Sequence, residues 1–253
     1  MSMVDLLYRV YARRLEKALD SARVPHHVAV MLDGNRRWAR AFGASTASGH
    51  EAGAERAHEF LRWCDEADVG VVTLFLLSAD NLRRPEEELV PLLGIIENLV
   101  TDLAAVRRWR VHPVGALDIL PDRTATVLKD AADSTRDIDA MHINVAVGYG
   151  GRREIADAVR ALLLEQGARG ASLEEAAEVV TVENIAEHLY TKGQPDPDLV
   201  IRASGEQRLS GFLLWQSANS EFYFCEALWP DFRHVDFLRA LRSYAERERR
   251  YGR

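Results

Sequence analysis

The stretches that most restrict how this chain can fold are its short, almost unbroken apolar runs. HHVAVML (26–32), GVVTLFLLS (70–78), MHINVAVGYG (141–150) and DLVIRAS (198–204) place apolar residues at consecutive rather than alternate positions. A strand with one wet face alternates; a strand apolar throughout is covered on both faces, as in a parallel sheet. RVHPVG (110–115) and FYFC (222–225) complete a set of six. Helical period fills the gaps: 51–66, 85–108 (Leu89, Leu92, Leu93, Ile96, Leu99, Val100 and Leu103 on one stripe), 122–134, 151–167, 172–180, 182–190 and 234–250. Residues 208–217 read as another short helix, and 4–20 as an amphipathic helix within an N-terminal arm, 1–24. The alternation predicts an α/β chain, one domain over 1–253, with a mostly parallel six-stranded sheet flanked by helices. Ligands of such sheets bind beyond the carboxyl ends of the strands. Asp33, Ser78–Arg84, Gly148–Arg153, Arg202–Arg208 and Glu221 lie at or near strand ends and are expected to converge there.

Charge and composition remove several functions. A net charge of −7 argues against a general nucleic-acid binder. Two cysteines, Cys64 and Cys225, build neither a disulfide framework nor a cysteine-rich metal site and read as buried free thiols. No apolar run approaches the ~20 residues of a membrane span, and the N-terminus does not read as a secretory signal. The expected location is the cytoplasm, with at most peripheral membrane contact through the N-terminal arm or the C-terminal helix.

Four arginine clusters follow strand-like runs: Arg36, Arg37 and Arg40; Arg83 and Arg84; Arg152 and Arg153; Arg202 and Arg208. In AVMLDGNRRWAR (29–40), Gly34 permits close backbone approach, and the next helix offers unpaired N–H groups beside guanidinium forks, an anion site. Asp33 admits two readings: a helix cap, or a carboxylate reaching phosphate through Mg²⁺. In IRASGEQRLSGF (201–212), Arg202, Arg208 and Ser210 surround the Gly205 turn as a second diphosphate cradle, unless Arg202 is merely paired with Glu206. Asn81, Arg83 and Arg84 lie between a strand and the long helix that Pro85 starts, whose apolar face either packs the core or lines a greasy groove. His50, which opens a helix after Gly49, is the histidine nearest an anion site; Trp38, Trp215, Phe222, Phe224 and Trp229 read as core. The residues alone define an enzyme for an amphiphilic diphosphate, without naming the reaction.

In order along the chain, HVAVMLDGNRRWAR, GHEAGAE, TLFLLSADNLRRP, NVAVGYGGRREI, DPDLVIRASGEQRLSGFLLWQ and SEFYFCEALWPDF resemble the motifs of the cis-prenyltransferase family, the undecaprenyl diphosphate synthase-like enzymes. The likeness runs from about His27 to Phe237 and is strongest to short-chain (2Z,6E)-farnesyl diphosphate synthases. It implies Mg²⁺-dependent condensation of isopentenyl diphosphate with an allylic diphosphate, taken as geranyl diphosphate, along a hydrophobic tunnel in a homodimer. It implies Asp33 as the essential carboxylate and metal ligand, and Glu221 as the second metal carboxylate. It implies Asn81 in the condensation, and Gly34, Asn35, Arg36, Arg37, His50 and Arg84 around the allylic diphosphate. Arg202, Arg208 and Ser210 would hold isopentenyl diphosphate. The proton acceptor stays open among Asn35, Asp33 and the diphosphate.

Where long-chain members tend to have a small residue, Leu76 stands here, and the resemblance implies an early stop at farnesyl. Thr46, Leu82, Gly148, Ala203 and Asn219 replace residues common in the family, with Arg40 an alternative phosphate contact for Thr46. Three other readings stay open: a medium-chain, long-chain or branched-product synthase, a non-catalytic partner subunit, and a phosphohydrolase with Asp33 as nucleophile.

Overall fold

The computed structural model describes residues 3–19 and 24–247. The strands are β1 (His27–Met31), β2 (Val71–Ser78), β3 (Arg110–Val114), β4 (His142–Tyr149), β5 (Leu199–Arg202) and β6 (Glu221–Phe224). They form one sheet in the order β3-β4-β2-β1-β5-β6. Every pairing is parallel, so the expectation of a mostly parallel sheet is met in full. β1 is buried at all five positions, as its unbroken apolar sequence requires.

The helices are α1 (Met3–Ala18), α2 (Asn35–Ala41), α3 (Thr46–Glu66), α4 (Glu86–Val106), α5 (Asp122–Ser134), α6 (Gly151–Ala168), α7 (Leu173–Glu178), α8 (Val182–Ala186) and α9 (His234–Arg247). On one sheet face, Val28, Val30, Val72 and Leu74 join Phe60 and Leu61 of α3, Leu92, Ile96 and Leu103 of α4, Leu128 of α5 and Phe237 of α9. On the other, Ala29, Met31, Ala146, Tyr149 and Val200 pack against Phe212 and Leu213. Each core leucine or phenylalanine taken from water stabilises the fold by about 1.5–3 kcal/mol. The described part of the N-terminal arm docks on α9, with Leu15 against Val235 and Leu238; the rest of 1–24, and the predicted end of the last helix beyond 247, lie outside the described residues.

Three local expectations are corrected. The helix predicted from residue 51 begins at Thr46, because Ser45 caps it by accepting from the Ser48 N–H. His50 therefore lies in the second turn rather than opening the helix. Residues 208–217 form turns followed by a 3₁₀ turn at Gln216–Asn219, because Ser210 (φ 48°), Gly211 (φ 80°) and Leu213 (φ 45°) adopt left-handed backbone that no helix accommodates. Finally, α4 is long and apolar enough to cross a membrane by composition alone. Its Leu92, Leu93, Ile96, Leu99, Val100 and Leu103 are instead buried in the protein core.

β1 and β5 are neighbours whose onward connections run to opposite sides, one to β2 and the other to β6. That reversal opens a crevice at their carboxyl ends, the usual binding position in such sheets. Met31 lies level with Arg202 there, so the residues that follow each strand meet.

Candidate active site

A cavity of about 590 Å³ occupies that crevice. Its polar end is lined by Asp33, Gly34, Asn35, Arg36, Arg37, Arg40, His50, Ser78, Asn81, Arg84, Arg202, Arg208 and Ser210. Its apolar part is lined by Leu76 and Leu77 of β2 and by Leu92, Ile95, Ile96 and Leu99 of α4. Six arginines face three carboxylates, Asp33, Asp80 and Glu206, so the lining carries a net positive charge within a protein of net charge −7.

Asp33 does not cap α2. The cap is Gly34, whose φ of 107° disfavours other residues and whose added Cβ would lie 2.9 Å from the Leu228 side chain. The backbone therefore turns sharply, leaving the Asp33 Oδ2 to accept from the Arg202 guanidinium at 2.8 Å. The Arg202 side chain is only 4% exposed and Asp33's 40%, so the charge pair has one buried and one accessible member. Arg202 also donates to the Ser210 hydroxyl at 3.0 Å and to the Arg208 carbonyl. Its predicted alternative partner, Glu206, pairs with Arg208 instead. These contacts gather the second cradle, and Arg37 ties it to the first by donating to the Ser204 carbonyl at 3.0 Å.

On the other side of Asp33, Arg36 and Arg84 share Glu88, at 3.5 and 2.8 Å. Glu88 escaped sequence reasoning because an acidic first helical turn is explained by the helix dipole alone. Burial lowers the His50 pKa to about 4, and the Arg84 charge adds to the effect, so this imidazole is neutral at neutral pH. Asn81 lies in the 3₁₀ turn Asp80–Arg83 and donates its backbone N–H to the Ser78 hydroxyl at 3.2 Å. Three buried polar atoms on lining residues, Asn35 Oδ1, His50 Nε2 and Arg202 Nε, have no partner among the described residues.

Two glycines of GHEAGAE are further residues that the motif reading passed over. A Cβ on Gly49 would lie 2.4 Å from the Asn35 carbonyl, and one on Gly53 would lie 2.3 Å from the Asn35 Oδ1. α3 thus presses its backbone against the start of α2 and fixes Asn35. The only signal was a pair of glycines four apart within a helical pattern, which place both on one helix face.

Leu76 is aimed by an irregularity. Phe75 is level with Ala146 and Leu77 with Val147, so Leu76 is an extra residue in β2. This bulge breaks the two-residue alternation, and Leu76 and Leu77 both join the α4-side core.

Arg83, the Gly148–Arg153 stretch and Glu221 do not join the cavity lining as expected. Arg153 pairs with Asp118 and Asp157, outside the cavity. Glu221 opens β6 level with Leu199, at the amino rather than the carboxyl end, and bonds Arg247 at 3.1 Å. Within the chain, Glu221 and Asp33 are not brought together. Thr46 and Asn219 also lie outside the cavity lining. Of the aromatics read as core, Trp229 is fully buried, but Phe224 is exposed on the edge strand. Cys64 and Cys225 are buried free thiols, as expected.

The fold and the paired arginine cradles define a parallel α/β protein built for diphosphates. A family model described as "Putative undecaprenyl diphosphate synthase" matches residues 31–252. The chain is 65% identical to a (2Z,6E)-farnesyl diphosphate synthase of Thermobifida fusca, covering 97% of each chain. It is 62% identical to Isoprenyl transferase 1 of Streptomyces avermitilis, covering 98% of this chain and 96% of that one. A crystal structure of lavandulyl diphosphate synthase from Lavandula x intermedia, in complex with dimethylallyl diphosphate, superposes with a TM-score of 0.81 at 32% identity, covering 88% of this chain and 96% of that one. This chain belongs to the undecaprenyl diphosphate synthase family of cis-prenyltransferases.

Proposed function

We propose that this protein is a short-chain cis-prenyl diphosphate synthase, joining isopentenyl diphosphate to geranyl diphosphate to give (2Z,6E)-farnesyl diphosphate, diphosphate and a proton. One observation carries the reading: two arginine groups flank Asp33 at the polar end of a cavity whose other end is apolar. Geranyl diphosphate has that polarity, and its hydrocarbon fits the wall of Leu76, Leu92, Ile96 and Leu99.

We assign the allylic diphosphate to Gly34, Asn35, Arg36, Arg37, His50 and Arg84, where the N–H groups of α2 add to the guanidinium donors. Isopentenyl diphosphate goes to Arg202, Arg208 and Ser210. Asp33 stands between the two sites. Among the described residues no group of three His, Cys, Asp or Glu side chains could hold a metal. An accessible carboxylate amid phosphate-binding donors nevertheless fits Mg²⁺, which takes one or two carboxylates and completes its shell with phosphate and water. Bound there, Mg²⁺ would neutralise charge on the departing diphosphate. Fixed guanidinium and N–H donors stabilise the same charge without reorganising. The apolar walls exclude water from the allylic carbon while the isopentenyl double bond attacks it. Asn81, at the rim beside Ser78, orients the reacting ends, and loss of a proton leaves the cis double bond. Leu76 sets the product length by narrowing the apolar end. Glu221 would reach a metal at Asp33 only from a second copy of the chain, and a homodimer is the assembly we propose. The reaction belongs in the cytoplasm, with at most peripheral contact with a membrane, and the whole chain 1–253 acts as one domain.

The test separates transfer from hydrolysis. Purified protein is given geranyl diphosphate with and without isopentenyl diphosphate, and diphosphate release is followed with and without Mg²⁺. Release that needs both substrates and Mg²⁺ is expected. Phosphate released from geranyl diphosphate alone would favour the phosphohydrolase reading. No release under any condition would favour a non-catalytic partner subunit.

A further inference from the structure

The segment carrying Arg208 and Ser210 has no helix or strand to hold it. It runs from Arg202 to Gln216 through left-handed backbone at Ser204, Gly205, Ser210, Gly211 and Leu213. Such backbone persists only where the surroundings over-determine it. Glu154 of α6, fully buried and outside the cavity lining, bonds the end of this segment. It belongs to NVAVGYGGRREI, yet nothing assigned to the reaction uses it.

The Glu154 carboxylate gathers donors from three parts of the chain. It accepts from the Tyr149 hydroxyl, from the Tyr190 backbone N–H at 2.9 Å and from the Gln216 amide at 3.0 Å. The second hydrogen of that amide goes to the Thr191 hydroxyl at 2.9 Å. Two of these links reach the segment. Gln216, itself buried, ends it, and the Ser217 N–H returns to the Leu213 carbonyl at 2.8 Å. Phe212 packs edge-on to the ring of Tyr149, the residue that donates to Glu154. The start of α6 adds a third tie, from the Gly151 N–H to the Gly211 carbonyl at 2.8 Å. A buried carboxylate bound by three donors is costly to place and rigid once satisfied.

We infer that Glu154 is a positioning residue for the Arg208–Ser210 cradle: through Tyr149 and Gln216, it fixes where one of the two diphosphates binds. This rests on the assignment of Arg202, Arg208 and Ser210 to isopentenyl diphosphate. It gives the two sites separate supports, joined only where Arg37 donates to the Ser204 carbonyl. The other cradle stands on the packing of α2 against α3, which Glu154 does not touch.

Isopentenyl diphosphate and geranyl diphosphate are titrated calorimetrically, each alone, into wild type, Glu154→Ala, Glu154→Gln and Tyr149→Phe, with melting temperatures and steady-state kinetics alongside. Glu154→Ala should weaken isopentenyl diphosphate binding at least tenfold and leave geranyl diphosphate within twofold. Glu154→Gln keeps an acceptor for Tyr190 and Gln216 and should lose less than threefold. Tyr149→Phe keeps the aromatic core, so it stays informative if the alanine variant fails to fold, and should fall between the two. A lower melting temperature with both affinities unchanged would overturn the positioning role, as would equal loss for both substrates. A wild-type protein that condenses nothing and binds neither substrate would instead overturn the functional reading beneath it.

Discussion

At Asp33 one carboxylate already accepts from a guanidinium, and under the proposed function an incoming ligand would compete for it. Arg202 sits 2.8 Å away, with its other nitrogen on Ser210. Asp33→Asn keeps the shape and removes the charge. The loss of a group that acts on charge developing in the transition state is expected to lower kcat by about 10²–10³. Isopentenyl diphosphate binding should change far less, because Arg202 and Ser210 remain. Steady-state kinetics checks this, and a kcat within threefold of wild type would remove Asp33 from the chemistry. Leu76 makes the second single-residue prediction. Another isoprene unit buried along α4 would gain roughly 4 kcal/mol at ~0.8 per carbon. Forcing it past a leucine in a packed wall costs about 1–3 kcal/mol and displaces neighbours. Leu76→Ala should therefore lengthen the product by at least one five-carbon unit, read by mass. An unchanged length would make Leu76 ordinary core.

At the scale of elements, α2 and α3 form one device. A methyl on Gly53 would strike the Asn35 Oδ1 and come within 3.2 Å of Trp229, whose ring N–H bonds the Gly53 carbonyl. Gly53→Ala should cost about 1–3 kcal/mol as an overpacked contact. It should raise the KM for the allylic substrate at least fivefold with the isopentenyl KM unmoved, the opposite pattern to Glu154→Ala. Equal KM shifts would show that the two cradles are not independently supported. The sequence made much of this site legible. Glycine, asparagine and arginine at the end of an apolar run mark a strand leading into an anion-binding helix, and Asp33, Arg37, Arg84, Arg202 and Ser210 do line one cavity. What it hid depends on contacts between distant residues. Nothing local distinguishes Gly49 and Gly53 from helix-weakening residues, or places Leu76 in a bulge. RLSGFLLWQS has helical composition, but contacts from elsewhere in the chain hold it: Gly151 N–H on the Gly211 carbonyl, Tyr149 against Phe212 and Glu154 on Gln216. Glu221 precedes FYFC (222–225), so chain order alone sets it at the amino end of its strand, away from the ends where Asp33 and Arg202 meet.

For the whole molecule, burial holds His27 as a neutral ring at the sheet's amino end. Its nitrogens lie 2.8 Å from the Pro195 carbonyl and the Thr73 hydroxyl, and burial lowers its pKa to about 4. The unfolded chain, with His27 near its ordinary value of 6.5, binds the extra proton first. The stability from neutral His27 is therefore full above pH 6.5 and is lost as the pH falls towards 4. The slope is about 1.4 kcal/mol per pH unit for one such group. Denaturant midpoints across pH 4–7 should show this slope, flattened in His27→Gln; equal slopes would place the titration elsewhere. Under the proposed function, the cavity joins one isopentenyl unit to geranyl diphosphate with cis geometry and then stops. The most direct measurement incubates the protein with Mg²⁺, isopentenyl diphosphate and geranyl diphosphate, then resolves the product by mass and double-bond geometry. The expected product is (2Z,6E)-farnesyl diphosphate alone. A longer chain, an all-trans product or a branched one would contradict the account.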